Sequence, residues 1–160
     1  MTQASIVICN GLSSDVSRNA THSDFEQLQS LLNQSTFWAK NRQLEDLKTA
    51  IANSSPVLSM WSQKQLVGFA RATSDGVYRA TIWDVVIAPD FRGLGLGQRL
   101  VQTLLAHPQM RRVERVYLMT TYQRTFYEKL GFTVNSTTTM MLTQPDGATL
   151  VQDRVSQFQD

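Results

Sequence analysis

A mixed α/β domain built around one central sheet is the fold class this sequence predicts, on three observations. The chain has 160 residues, the size of one domain, and a chain of that length buries roughly two-thirds of the surface its unfolded form exposes. Apolar runs separated by tight turns between Val57 and Ala88 read as an antiparallel meander. Two strand–helix units follow it, and that order belongs to a mixed α/β layout.

Residues 4–9 (ASIVIC) form a first apolar strand, and the polar stretch up to Asp24 is a connection. Asp24 is the expected cap of a helix whose apolar positions Phe25, Leu28, Leu31 and Leu32 follow helical spacing. A second helix from Arg42 repeats that spacing at Leu44, Leu47 and Ile51. Phe37 and Trp38 lie in the loop between the two helices. Val57–Trp61 and Leu66–Ala72 form a hairpin around Ser62–Gln65, and Arg79–Ala88 is the third strand of the meander. Gly97–His107 is a helix stopped by Pro108, with His107 as a favourable charge at its C-terminal end. Residues 114–121 are a strand, and Tyr122–Leu130 is a short helix ended by a left-handed Gly131. Residues 132–143 read as two short strands. The tail, 144–160, carries no readable element. Residues 1–160 are expected to be a single domain with its core motifs in 56–142.

Composition excludes several classes. Hydrophobic residues make up 42% and charged residues 18%, an ordinary globular balance rather than a disordered one. A net charge of +2 is too small to imply a nucleic-acid or membrane surface. One cysteine, Cys9, rules out a disulfide within the chain and fits a cytoplasmic setting. Two histidines and that cysteine make no metal-ligand spacing, so no metal is expected. No signal peptide is read at the N-terminus.

The stretch FRGLGLGQRL, 91–100, places three glycines between a strand and a helix. Such a helix start offers unpaired N–H groups and partial positive charge, which together attract an anion. Glycines also let backbone approach a ligand without Cβ atoms intervening. Two common phosphate motifs fail. Gln98-Arg99 follows the last glycine where a P-loop needs Lys-Ser/Thr, and the dinucleotide spacing would need glycine at Gln98 or Leu100. What fits is Arg92-x-x-Gly95-x-Gly97. By itself this pattern describes a plain tight turn equally well. In the next strand–helix unit, Tyr127 falls on the short helix beside Phe126 and Leu130. Periodicity alone reads it as a packing residue with a wet hydroxyl.

Taken together, Arg92-x-x-Gly95-x-Gly97 after Val-Ile-Ala-Pro and the later Phe126-Tyr127-Glu128-Lys129-Leu130-Gly131-Phe132 resemble the GNAT superfamily of acetyl-CoA-dependent N-acetyltransferases. The stretch ATIWDVVIAPDFRGLGLG is similar to the cyanobacterial and plastid branch of that superfamily. The resemblance implies a mostly antiparallel sheet with a parallel pair at the cofactor site and helices on both faces. It implies acetyl-CoA as co-substrate. The amides of Arg92, Gly93, Leu94, Gly95, Leu96, Gly97 and Gln98 would hold its pyrophosphate. The splayed strand end at Val86 and Ile87 would pair with its pantetheine arm, and Tyr127 would be the general acid at the sulfur. Family members often carry Asn or Asp near position 120 and Ala near 123. This chain has Thr120 and Gln123, so Thr120 is the polar side chain there. Arg111, Arg112 and Arg115 are either contacts for the 3′-phosphate or a solvated basic turn.

The chemistry sets further demands. An alkylammonium with a pKa near ~10 must lose a proton before it attacks. The carbonyl oxygen needs a donor as charge develops, and the Ile87 N–H is the candidate. Bases in this superfamily commonly come from the strand before the glycine loop, on the face of Thr81 and Trp83, and neither can serve. Asp84 is the only carboxylate on that strand and so the candidate base, although strand alternation points it to the opposite face. A structural Asp84, with deprotonation through a water chain, is the alternative. Phe37 and Trp38 line the acceptor site, or pack in the core or as a lid. The expected partner is an amine, small-molecule or protein, with a homodimer as an option and neither nucleic acid nor membrane. A non-catalytic acyl-CoA sensor and a nucleotide-binding protein of another fold are the competing readings.

Overall fold

The computed structural model describes residues 5–15, 17–137 and 139–142. Five strands form one sheet in the order β1 (Ile6–Asn10), β2 (Val57–Ser62), β3 (Gln65–Ser74), β4 (Arg79–Ile87) and β5 (Arg115–Tyr117). The first four pair antiparallel and β4 pairs parallel with β5. The expected sheet, antiparallel with one parallel pair, is the one found.

Helices α1 (His22–Ser35) and α2 (Leu44–Ala52) precede the meander. Helix α3 (Leu96–Ala106) links β4 to β5, and α4 (Arg124–Glu128) follows β5. Helix α1 buries Leu28, Leu31 and Leu32, and α3 buries Leu100, Val101 and Leu104. Each such leucine contributes roughly 1.5–3 kcal/mol of apolar burial. Between them lie Leu58, Met60, Val67 and Phe69, all 1% exposed or less. Alternation along β3 separates the two helical layers. Gly68 meets Ile87 under α3, whereas Arg71 reaches Ser54 beyond α2.

Three sequence expectations change. The N-cap of α1 is Thr21, and Asp24 sits three residues in as the other half of a capping box. Strand β5 is three residues long rather than eight, because its pairing with β4 stops at Thr81–Tyr117. The two strands expected in 132–143 do not form among the described residues there. Val134, Met140, Met141 and Leu142 are exposed, so that stretch finds no sheet face to bury its apolar side chains. The tail from 143 onward lies outside the described residues.

Candidate active site

The site starts from an irregularity in β4. Phe69 faces Val86 and Arg71 faces Trp83, so Ala70 alone is opposed by two residues, Asp84 and Val85. This is a β-bulge, and Asp84 at φ 54° holds the left-handed position that glycine usually takes in such a bulge. Beyond the bulge the Ala88 N–H donates to the Val67 carbonyl at 2.8 Å. Ladder alternation then turns the peptide groups of Ile87 to the other edge. The Ile87 carbonyl does face that way, accepting from Arg92 Nε at 3.1 Å. Strand β5 covers only Arg79–Thr81 of β4. The edge carrying the Ile87 N–H therefore has no strand partner among the described residues. Val86, expected to share this edge, instead turns its peptide toward β3 and buries its side chain.

The glycine loop continues from that edge. A 3₁₀ turn at Pro89–Phe91 leads to Gly93 at φ 76° and Gly95 at φ 73°, conformations that would strain a side chain. Gly95 is the N-cap of α3. The amides of Gly93 through Gln98 have no acceptor among the described residues, and the first helix bond runs from the Arg99 N–H to Gly95. A Cβ at Gly93 or Gly95 would meet nothing within 4 Å, so the loop is open on its outer side. These are the features of a helix N-terminus that can accept an anion. Arg92 departs from expectation. Its own N–H is already given to Pro89, and its guanidinium donates to Ile87 O and Ser35 O at 3.1 and 3.0 Å. It ties the end of β4 to the end of α1 rather than standing free at the rim.

Tyr127 reaches this loop through its neighbour. A Cβ at Gly97 would lie 3.4 Å from Phe126 Cζ and 3.7 Å from Ile87 Cγ1, so α4 rests on the first turn of α3. The chain leaves α4 by a Schellman turn. The Phe132 N–H donates to Tyr127 O at 3.1 Å and the Gly131 N–H to Glu128 O at 3.0 Å, with Gly131 at φ 92°. The turn folds Phe132 back onto Tyr127, ring centroids 5.8 Å apart, while Phe126 flanks it at 4.9 Å. This aromatic enclosure half-buries the phenol and pushes its pKa up to about 12. Thr120 Oγ1 accepts from the Gln123 N–H at 3.0 Å and so serves the entry to α4.

Asp84 is not where strand alternation placed it. The bulge brings it to the side of Trp83, and both meet Arg71. The Asp84 Oδ2 accepts from Arg71 Nε at 2.7 Å and from Arg42 Nη1 at 3.0 Å, and the side chain is 6% exposed. The Arg71 guanidinium lies 5.8 Å from the Trp83 ring centroid. Sequence reasoning missed Arg42 and Arg71, since neither belongs to a motif. It also missed Tyr122, whose exposed ring lies 5.5 Å from Phe37, itself 5.1 Å from Trp38. Arg111 and Arg112 are exposed in the turn after α3, while Arg115 lies in β5 near Glu114. His107 is the C-cap of α3, donating its backbone N–H to Leu104. No group of three or more His, Cys, Asp and Glu among the described residues could hold a metal.

Comparison with known proteins agrees with this geometry. An uncharacterized N-acetyltransferase, ycf52, of Pyropia yezoensis is 45% identical over 100 residues, covering 59% of this chain and 57% of the relative. A ycf52-like N-acetyltransferase of Prochlorococcus marinus is 37% identical over 116 residues, 69% of this chain and 63% of the relative. The chain thus spans less than two-thirds of these curated relatives. A crystal structure of a GNAT-family protein from Xanthomonas campestris pv. campestris superposes with a TM-score of 0.69 at 29% identity, covering 82% of this chain and 87% of that one. The family model for GNAT acetyltransferases matches residues 25–132, from α1 through the glycine loop to Phe132, and the chain belongs to that family.

Proposed function

We propose that this domain transfers the acetyl group of acetyl-CoA to a primary amine by direct attack in a ternary complex. The observation that carries the reading is two neighbouring sets of backbone donors that have no partner among the described residues. One is the open edge of β4 at Ile87, and the other is the run of amides from Gly93 to Gln98. An extended pantetheine arm ending in a pyrophosphate offers the acceptors that both call for.

The amine nitrogen attacks the thioester carbon, a C–N bond forms, the C–S bond breaks and one proton leaves nitrogen. The Ile87 N–H stabilises the developing oxyanion; such donors are typically worth 10²–10³-fold, or ~2.7–4 kcal/mol. Asp84, with two guanidinium donors on one oxygen, is occupied structurally. The amine proton therefore leaves through water. Tyr127 is the donor to the departing sulfur. Full proton transfer from a phenol near 12 to a thiolate whose thiol sits near ~8.5 is uphill by roughly 5 kcal/mol, at about 1.36 kcal/mol per unit. Tyr127 thus acts chiefly as a hydrogen-bond donor, and the solvent completes protonation. The acceptor is a small-molecule or protein amine, and the single buried cysteine fits a reducing, cytoplasm-like setting.

The raised phenol pKa also favours a second reading, a binding module that senses acyl-CoA without turnover. The first test is thermal shift with acetyl-CoA, where ligand at 100 times Kd adds about 2.7 kcal/mol. No shift sinks both readings. A shift without any acetylated product across a panel of amines leaves the sensor.

A further inference from the structure

We propose that the Arg42–Asp84–Arg71 cluster is a positioning device that aims the Ile87 N–H at the thioester carbonyl. This rests on the acetyl-transfer reading above. The extra residue of the β4 bulge reverses which peptides beyond it face outward. With it, Ile87 points to the open edge; without it, Val86 would. The bulge therefore decides which amide meets the substrate. Glycine is the usual occupant of its left-handed position, yet this chain holds aspartate there at φ 54°. The retained side chain has a use. Its carboxylate is buried and gripped from two directions. Arg71 reaches it from the facing strand and is itself anchored, its Nη1 donating to Ser54 Oγ at 2.9 Å. Arg42 reaches it from the segment leading into α2. The bulge is thus locked to the helical layer on that face, and Ile87 three residues on inherits the alignment. Arg92, holding the Ile87 carbonyl, fixes the other end of the same short segment.

Asp84→Gly removes the grip but accepts the same backbone angle. Asp84→Asn tolerates the angle and leaves an oxygen for Arg71. The readouts are the infrared band of enzyme-bound ¹³C-labelled acetyl-CoA carbonyl, and kcat and KM with an amine the wild type acetylates. For Asp84→Gly the expected result is a carbonyl band displaced toward its free-solution position, with kcat down at least ~10-fold and the KM for acetyl-CoA within about threefold. Asp84→Asn keeps most of the wild-type band and rate. An unmoved band in Asp84→Gly, with kcat within about twofold, overturns the proposal. So does equal loss in both variants with the band unmoved, which is the signature of a base. If Asp84→Gly does not fold, Arg42→Met reads the same band: a partial displacement supports the grip and none overturns it. Failure of the wild type itself to bind acetyl-CoA would overturn acetyl transfer, and is seen before any substitution is made.

Discussion

The donor side and the acceptor side of this site are built from different material. On the donor side, from Ile87 through Gln98, the working groups are backbone N–H groups, arranged by left-handed glycines and a helix start. On the proposed acceptor side the groups are side chains, the exposed rings of Phe37, Trp38 and Tyr122. In the proposed reaction, backbone donors read the part of the ligand that is always the same, a pyrophosphate and an amide-bearing arm. Exposed side chains can be exchanged without disturbing the fold, so under the proposed reaction selectivity would reside in them.

That division can be broken at four points, from the largest expected effect to the smallest. Tyr127 stands at the seam. Tyr127→Phe should lower kcat by ~10²–10³-fold, the loss of one hydrogen-bond donor to developing charge, with acetyl-CoA affinity unchanged by calorimetry. Because burial holds the phenol near 12, wild-type kcat should show no loss from its ionisation between about pH 7 and 10. A step near pH 10 that disappears in the Phe variant would contradict the enclosure. Gly95→Val addresses the donor side alone. A β-branched residue at φ 73° costs ~1–3 kcal/mol, and acetyl-CoA should bind roughly 5- to 150-fold more weakly. Equal affinity would mean that the loop is not the cradle. Trp38→Ala addresses the acceptor side alone. It should raise the KM of the best amine by ~5-fold or more and leave that of acetyl-CoA within about twofold. A change in both would erase the distinction.

The fourth point touches neither side. Asp24 is buried, which by itself would raise its pKa. The hydrogen bonds from Arg18 and Thr21 outweigh that burial and hold it below its usual value. A carboxyl depressed in the folded state contributes stability above its unfolded pKa of about 3.9, lost as pH falls through the lower folded value. Wild type should therefore lose more stability than Asp24→Asn on acidification below about pH 4, with no effect on either KM at neutral pH. Denaturant midpoints across that range measure it.

The same contrast explains what could be read from the sequence. Gly131 takes the positive φ that its place after α4 suggested, and Gly93 and Gly95, read from the sequence only as turn glycines, take it too. The strands and helices from α1 to α3 follow apolar periodicity closely. The bulge left no compositional trace. Asp84 occupies the glycine position, so alternation sent it to the wrong face and hid its partners Arg42 and Arg71, which are 42 and 13 residues away. The strands expected after Phe132 failed for another reason. Threonine and valine there favour extended backbone, but a strand also needs a partner edge, and β5 offers only three residues.

The short β4–β5 pairing has one more consequence. From Ile82 to Ile87 this edge of β4 has no strand partner among the described residues. To any other extended chain this is a template for pairing, the usual starting point of edge-to-edge aggregation. An extended cofactor laid along it would act as a missing strand, so the solubility of this protein should depend on how much of its ligand the solution holds.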